Sequence, residues 1–231
     1  MNFHAFDFAG TALRAYGSGG LYWPAEETLI VSDLHLGKSE RIARRSGQLL
    51  PPYETRDTLV QLDALLEQLA PRRVICLGDS FDDLEASHSL PEEDQVTLTQ
   101  MMIGHDWIWI EGNHDPGPLA FGGTHLDQLQ APPLTFRHIA EITTEAEISG
   151  HFHPKTRLFL RGRNVSRPCF LVTQSRLIMP AFGTYTGGLS LDHSAFEPFI
   201  DDKSFAIVTG RAPCAVPVRR VRSGGQAVGF S

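Results

Sequence analysis

Three short apolar runs constrain the fold of this chain more than any other feature. They are Leu29-Ile30-Val31, Val74-Ile75-Cys76-Leu77 and Trp107-Ile108-Trp109-Ile110, and each passes at once into polar residues. Unbroken runs of β-branched and aromatic residues, too short for a helix, read as strands buried on both faces. Between the first two lies Glu54 to Ala70, where Leu59, Leu62, Leu66 and Leu69 recur at helical spacing before Pro71. Between the second and third, Ser89-x-x-Glu92 resembles a capping box ahead of Val96, Leu98, Met101 and Met102. Strand, helix, strand, helix, strand predicts a parallel sheet with right-handed crossovers, an α/β architecture.

The rhythm changes after about residue 134, where short apolar runs at 158–160, 169–172, 177–179 and 205–208 alternate with polar or glycine-containing gaps. They predict antiparallel strands forming a second sheet packed on the first. Near the start, Gly17-Ser18-Gly19-Gly20 reads as the turn of a hairpin between Ala12–Tyr16 and Leu21–Trp23. No proline-rich or low-complexity linker interrupts the 231 residues, so the expectation is one domain, with Arg222 to Ser231 a fraying tail. The absence of a long apolar stretch predicts no membrane span and no signal peptide. Cys76, Cys169 and Cys214 are odd in number and widely spaced, which argues against a disulfide framework and predicts a reducing cytoplasm.

The chemistry sits at the strand ends. Ser32-Asp33-Leu34-His35 follows the first run, Gly78-Asp79-Ser80-Phe81-Asp82-Asp83 the second, and Glu111-Gly112-Asn113-His114-Asp115 the third. In an open parallel sheet these positions converge on one crevice. Ile148-Ser149-Gly150-His151-Phe152-His153 adds two imidazoles at i and i+2. Carboxylates, an amide oxygen and imidazoles without thiolate suit manganese, magnesium, iron or zinc. Two such ions about 3.5–4 Å apart repel strongly, so one carboxylate must serve both.

Asp33-x-His35, Gly78-Asp79, Gly112-Asn113-His114-Asp115 and Gly150-His151-x-His153, in this order, resemble the signature of the calcineurin-like metallophosphoesterases. The resemblance implies a two-sheet sandwich with flanking helices and a dinuclear centre. It gives Asp33, His35 and His153 to one metal, Asn113 and His151 to the other, and makes Asp79 the bridge. It also requires one intervening histidine, for which His125 and His138 are the candidates. His138 is favoured because Leu134 to Ile139 alternates like a strand, whereas His125 lies in a stretch that reads as loop or helix start. More narrowly, His35-Leu36-Gly37-Lys38, Gly78-Asp79-Ser80-Phe81, Trp109 to Gly117 and Pro180 to Leu189 resemble the bacterial DNA ligase-associated metallophosphoesterases. That group implies a manganese-dependent single-strand DNA endonuclease, functionally associated with an ATP-dependent DNA ligase, a helicase and an exonuclease in repair.

On this reading His114, beside Asn113 but off the metals, protonates the leaving sugar oxygen. Asp82 and Asp83 are either partners that orient ligand histidines or solvated turn residues. With 20 Lys and Arg against 27 Asp and Glu, the formal charge is −7, so a nucleic acid needs a local positive groove. Arg41, Arg44 and Arg45 after the first motif, and Arg157, Arg161, Arg163 and Arg167 after the last, are the basic clusters. Arg45, Arg161 and Tyr185 are the candidate substrate contacts. Phe152 and Phe182 are further stacking candidates, Phe152 being better read as packing. A small-molecule phosphodiesterase, a phosphomonoesterase and a non-catalytic scaffold are the competing functions.

Overall fold

The fold was analysed in a computed structural model, which describes residues 2–47, 53–117, 119–160 and 162–218. Arg161 and the tail from Arg222 to Ser231 therefore lie outside the described residues, as does the side chain of Arg45.

Two sheets make up the architecture. The first takes its strands in chain order: β1 (Phe3–Phe8), β2 (Thr11–Tyr16), β3 (Leu21–Trp23), β4 (Thr28–Val31), β5 (Arg73–Leu77), β6 (Asp106–Ile110) and β7 (Thr124–Leu126). Pairing is antiparallel from β1 to β4 and parallel from β4 to β7. The crossovers carry helices α1 (Lys38–Ser46), α2 (Glu54–Leu69), α3 (Ala86–Ser89) and α4 (Glu92–Met102). The second sheet holds β8 (Gln128–Ala131), β9 (Leu134–Arg137), β10 (Glu147–Ser149), β11 (Lys155–Leu160), β12 (Arg163–Val172), β13 (Arg176–Ile178), β14 (Phe205–Val208) and β15 (Cys214–Pro217). Its order is β15-β14-β12-β13-β10-β9-β8, with β11 paired to β12 outside that path.

The apolar runs are continuous because each strand serves two cores. Leu29, Val31, Val74, Cys76, Trp107 and Trp109 pack against Leu59, Leu62, Leu65 and Leu66 of α2 and Leu98 and Met101 of α4. Their alternate neighbours Ile30, Ile75, Leu77, Ile108 and Ile110 meet Phe136, Ile148, Phe170, Leu177 and Ile207 of the second sheet. Strand alternation thus divides one run between a sheet–helix and a sheet–sheet layer. Among the described residues no helix is long and apolar enough to cross a membrane. All three cysteines are free.

Three local expectations fail. Ser89 does not cap α4: it closes α3, whose first free amide, Ala86 N–H, is taken by Asp83 Oδ1 at 2.8 Å, and α4 begins beyond Pro91 with no side-chain cap. His125 lies on β7, not in a loop or helix start. The second sheet is not wholly antiparallel, since β10 runs parallel to both β9 and β13.

Candidate metal centre

The first two motif loops are welded together by backbone pairing that continues past the strand ends. Asp33 N–H donates to Gly78 O at 3.2 Å, His35 N–H to Asp79 O at 2.9 Å, and Leu36 N–H to Ser80 O at 2.9 Å. The second sheet joins in, with Gly150 N–H on His138 O at 2.9 Å and His151 N–H reaching Asp33 Oδ2 at 3.0 Å. Gly150 is needed for this approach, because a Cβ there would lie 1.8 Å from Ser32 Oγ. At Gly78 a Cβ would sit 2.5 Å from the His138 ring. Asp33, His35, Asp79, His151 and His153 all adopt left-handed backbone, with φ between 46° and 66°. The chain thus turns sharply at five of the seven expected ligands.

These turns bring the side chains into two adjoining groups. Asp33 Oδ1 lies 3.1 Å from His153 Nε2, which lies 3.4 Å from His35 Nε2. His138 Nε2 lies 3.4 Å from Asp79 Oδ2, 3.2 Å from His151 Nδ1 and 3.0 Å from Asn113 Oδ1. Asp33-His35-His153 and Asp79-His138-His151 each converge tightly enough to hold a cation, and the amide oxygen of Asn113 completes the second group. All seven expected ligand positions therefore meet. His125 is elsewhere, its ring nitrogens directed at Leu119 N and Phe121 O, so His138 is the intervening histidine that reaches the group.

Protonation follows from this crowding. Burial opposes the Asp79 charge, but the hydrogen bond from His138 and its positive charge outweigh it and pull the carboxyl down to about 2. His138 is the converse: burial disfavours its charge, yet Asp79 and Asp33 push it up to about 9. The buried Asp33 also titrates below its ordinary value, because His153 and His138 offset the cost of burial. His151 is lowered by burial and by His138.

Three carboxylates that sequence left without a firm role organise the surroundings. Asp82 accepts from His35 Nδ1 at 2.9 Å with one oxygen and from Arg41 Nε with the other, leaving His35 Nε2 for the cation side. Asp83 is the turn residue that caps α3. Asp115 accepts four main-chain amides: Asp79 at 3.0 Å, Ser80 at 2.8 Å, Phe81 at 3.1 Å and Gly112 at 3.1 Å. It thereby holds the Asp79 loop and its own loop in one piece. The signal for Asp115 was its place at the end of the third motif, but three of its four partners are 34 to 36 residues away in the second.

His114 directs Nδ1 to the Asp82 carbonyl at 2.8 Å, and its backbone N–H donates to Asp79 Oδ1 at 2.8 Å. Of the aromatic candidates, Phe182 is buried in the sheet–helix core and Phe152 packs on Phe196 and Phe199 with ring centroids 5.6 and 5.8 Å away. Tyr185 alone of the three stays in water, 61% exposed.

Residues 27–173 match the family model of the calcineurin-like phosphoesterases. The chain belongs to that family. No curated protein sequence matches it. Among solved structures, this calcineurin-like phosphoesterase resembles the crystal structure of Pseudomonas putida nuclease MPE, at 25% identity with a TM-score of 0.72, over 92% of this chain and 100% of that one. The phosphoesterase has the clustered His and Asp side chains that a dinuclear centre requires.

Proposed function

We propose that this phosphoesterase hydrolyses phosphodiesters with two divalent cations, manganese foremost, and that its substrate is single-stranded DNA cut internally during bacterial DNA repair. The observation that carries the proposal is the convergence of two cation-holding groups in one crevice beside an imidazole held by its far nitrogen. The likeness to a Pseudomonas putida protein named as a nuclease supports a nucleic-acid substrate. The resemblance to the ligase-associated group extends the proposal to cooperation with an ATP-dependent DNA ligase, a helicase and an exonuclease in the cytoplasm.

Asp33, His35 and His153 would hold one cation and Asn113, His138 and His151 the other, with Asp79 serving both. Bound there, the cations supply Lewis acidity at the phosphoryl oxygens and a water acidic enough to ionise near neutral pH. Asp82 keeps His35 facing its cation, and Asp115 keeps the Asp79 loop in register. His114 binds the Asp82 carbonyl through Nδ1–H, so Nε2 is left to deliver a proton to the departing sugar oxygen. Tyr185, left-handed at φ 56° and exposed at the end of the loop that follows Phe182, offers a face for an unstacked base.

The test is to incubate metal-stripped protein with circular single-stranded DNA, the matching duplex and a phosphomonoester, adding each divalent ion in turn. Nicking of the single-stranded circle with manganese is the expected result. Turnover of the monoester alone would overturn the substrate class.

A further inference from the structure

At Cys169, β12 leaves β14 and from there to its start pairs with β11 alone. Residues 156–160 and 163–167 therefore form a two-stranded ribbon beyond the sheet, its base at Lys155 held by main-chain bonds with Leu189 and Leu191 and by Lys155 Nζ–H on Thr186 O at 3.3 Å. Its root is the hydrogen bond from Cys169 N–H to Pro154 O at 2.9 Å, directly after the candidate ligand His153.

The ribbon carries one sign of charge. From Lys155 to Pro168 the sequence holds Lys155, Arg157, Arg161, Arg163 and Arg167 and no Asp or Glu, within a chain of formal charge −7. Leaving aside Arg161, four of these cations lie among the described residues. Lys155, Arg157 and Phe159 alternate along β11 and so share one face, opposite Pro168, Ser166 and Asn164 of β12. Arg163 and Arg167 are exposed on the other face. Phe159 leaves 73% of its surface in water. Among the described residues the acid recorded against the ribbon is Asp192, with Oδ2 3.4 Å from Arg157 Nη1, both side chains largely exposed. Exposed pairs of this kind hold weakly and exchange readily for another anion. Protecting an edge strand from aggregation takes a charge or two. It does not call for cations on both faces and an aromatic ring in solvent.

We infer that this ribbon is an arm that binds a nucleic-acid strand leaving the metal centre, with Lys155 and Arg157 on successive phosphates and Phe159 under a base. The inference rests on the phosphodiesterase reading and adds the surface that would hold the substrate strand outside the metal centre. A net-negative chain repels a polyanion everywhere except at a local positive feature, and this feature begins two residues after His153. Two residues of strand advance about 6.6 Å, the spacing of successive phosphates on an extended single strand. Stacking on an exposed ring adds affinity without demanding a particular base.

The experiment measures anisotropy of a labelled single-stranded oligonucleotide of mixed sequence with the metal-stripped 231-residue chain, in which nothing is cleaved. Arg157→Ala/Phe159→Ala is expected to weaken binding about tenfold. It is also expected to lower the slope of log affinity against log salt by about 0.7 for the lost phosphate contact. Arg211→Ala, which removes an exposed cation elsewhere, serves as the charge-matched comparison. Unchanged affinity, an equal loss in Arg211→Ala, or a change of oligomeric state at unchanged affinity would each overturn the arm. In a separate measurement on the manganese-loaded wild-type chain, failure to turn over an aryl phosphodiester would remove the phosphodiesterase reading itself, so the two failures are told apart.

Discussion

His138 stands between a backbone carbonyl and an amide oxygen: Nδ1 is 2.8 Å from Leu77 O, and Nε2 is 3.0 Å from Asn113 Oδ1. The carbonyl fixes Nδ1 as a donor, so Nε2 is the atom that faces the candidate cation. Without a cation, Asp79 and Asp33 hold this ring protonated up to about 9, and a cation must displace that proton. Binding is therefore expected to release a proton at pH 7, and apparent affinity to fall about tenfold per pH unit below the His138 value. Calorimetry in buffers of different ionisation enthalpy checks this. A proton count of zero would take His138 out of the ligand set.

Asp82 fixes His35 without being needed as a ligand itself. Asp82→Asn is expected to weaken cation binding about 10- to 100-fold while the chain stays folded, because losing a partner of this kind loosens ring orientation. Metal titration followed by inductively coupled plasma analysis reads the effect, and circular dichroism confirms the fold.

His114→Ala separates two kinds of diester. A sugar alkoxide leaves poorly unless protonated, whereas a nitrophenolate hardly needs a proton. The variant is expected to lose about 10²- to 10⁴-fold on DNA and far less on an activated aryl diester. Equal losses on the two substrates would refute the role of proton donor.

Glu147 predicts how stability responds to pH. It is fully buried on β10, and burial pushes its carboxyl from the ordinary 4.5 up to about 7, although Glu141 N–H at 3.2 Å and the Arg137 and Arg176 charges oppose the shift. Across this interval the folded chain retains a proton that the unfolded chain releases, so stability declines as pH rises from 4.5 to 7. Thermal unfolding across this range checks the slope, which Glu147→Gln is expected to flatten. A wild-type slope of the opposite sign within that range, persisting in the variant, would show that Glu147 does not govern it.

The parallel half of the first sheet was legible because β4, β5 and β6 are buried on both faces, which leaves an unbroken apolar run with polar ligands immediately after it. The leucine spacing of α2 was legible for the complementary reason that only one of its faces meets a core. Pairing direction in the second sheet was not, since three residues of β10 or β13 alternate identically whether neighbours run parallel or antiparallel. His125 was misread because β7 is also three residues long, too short for a period to show beside Gly122 and Gly123. Ser89 satisfied a local pattern, but Asp83 supplied the cap to an earlier turn and Pro91 shifted the next helix forward. The choice between roles for Asp82 turned on His35 and Arg41, 47 and 41 residues distant, which only folding brings near.

The left-handed backbone at Asp33, His35, Asp79, His151 and His153 sets a limit on how far this protein can be improved as a solid object. Residues with a Cβ resist that conformation by about 1–2 kcal/mol apiece, and glycine, which would relieve it, has no side chain with which to grip an ion. Thermostabilising substitutions therefore have to come from the rest of the molecule. A homologue that replaced these positions with glycine would gain durability by giving up its chemistry.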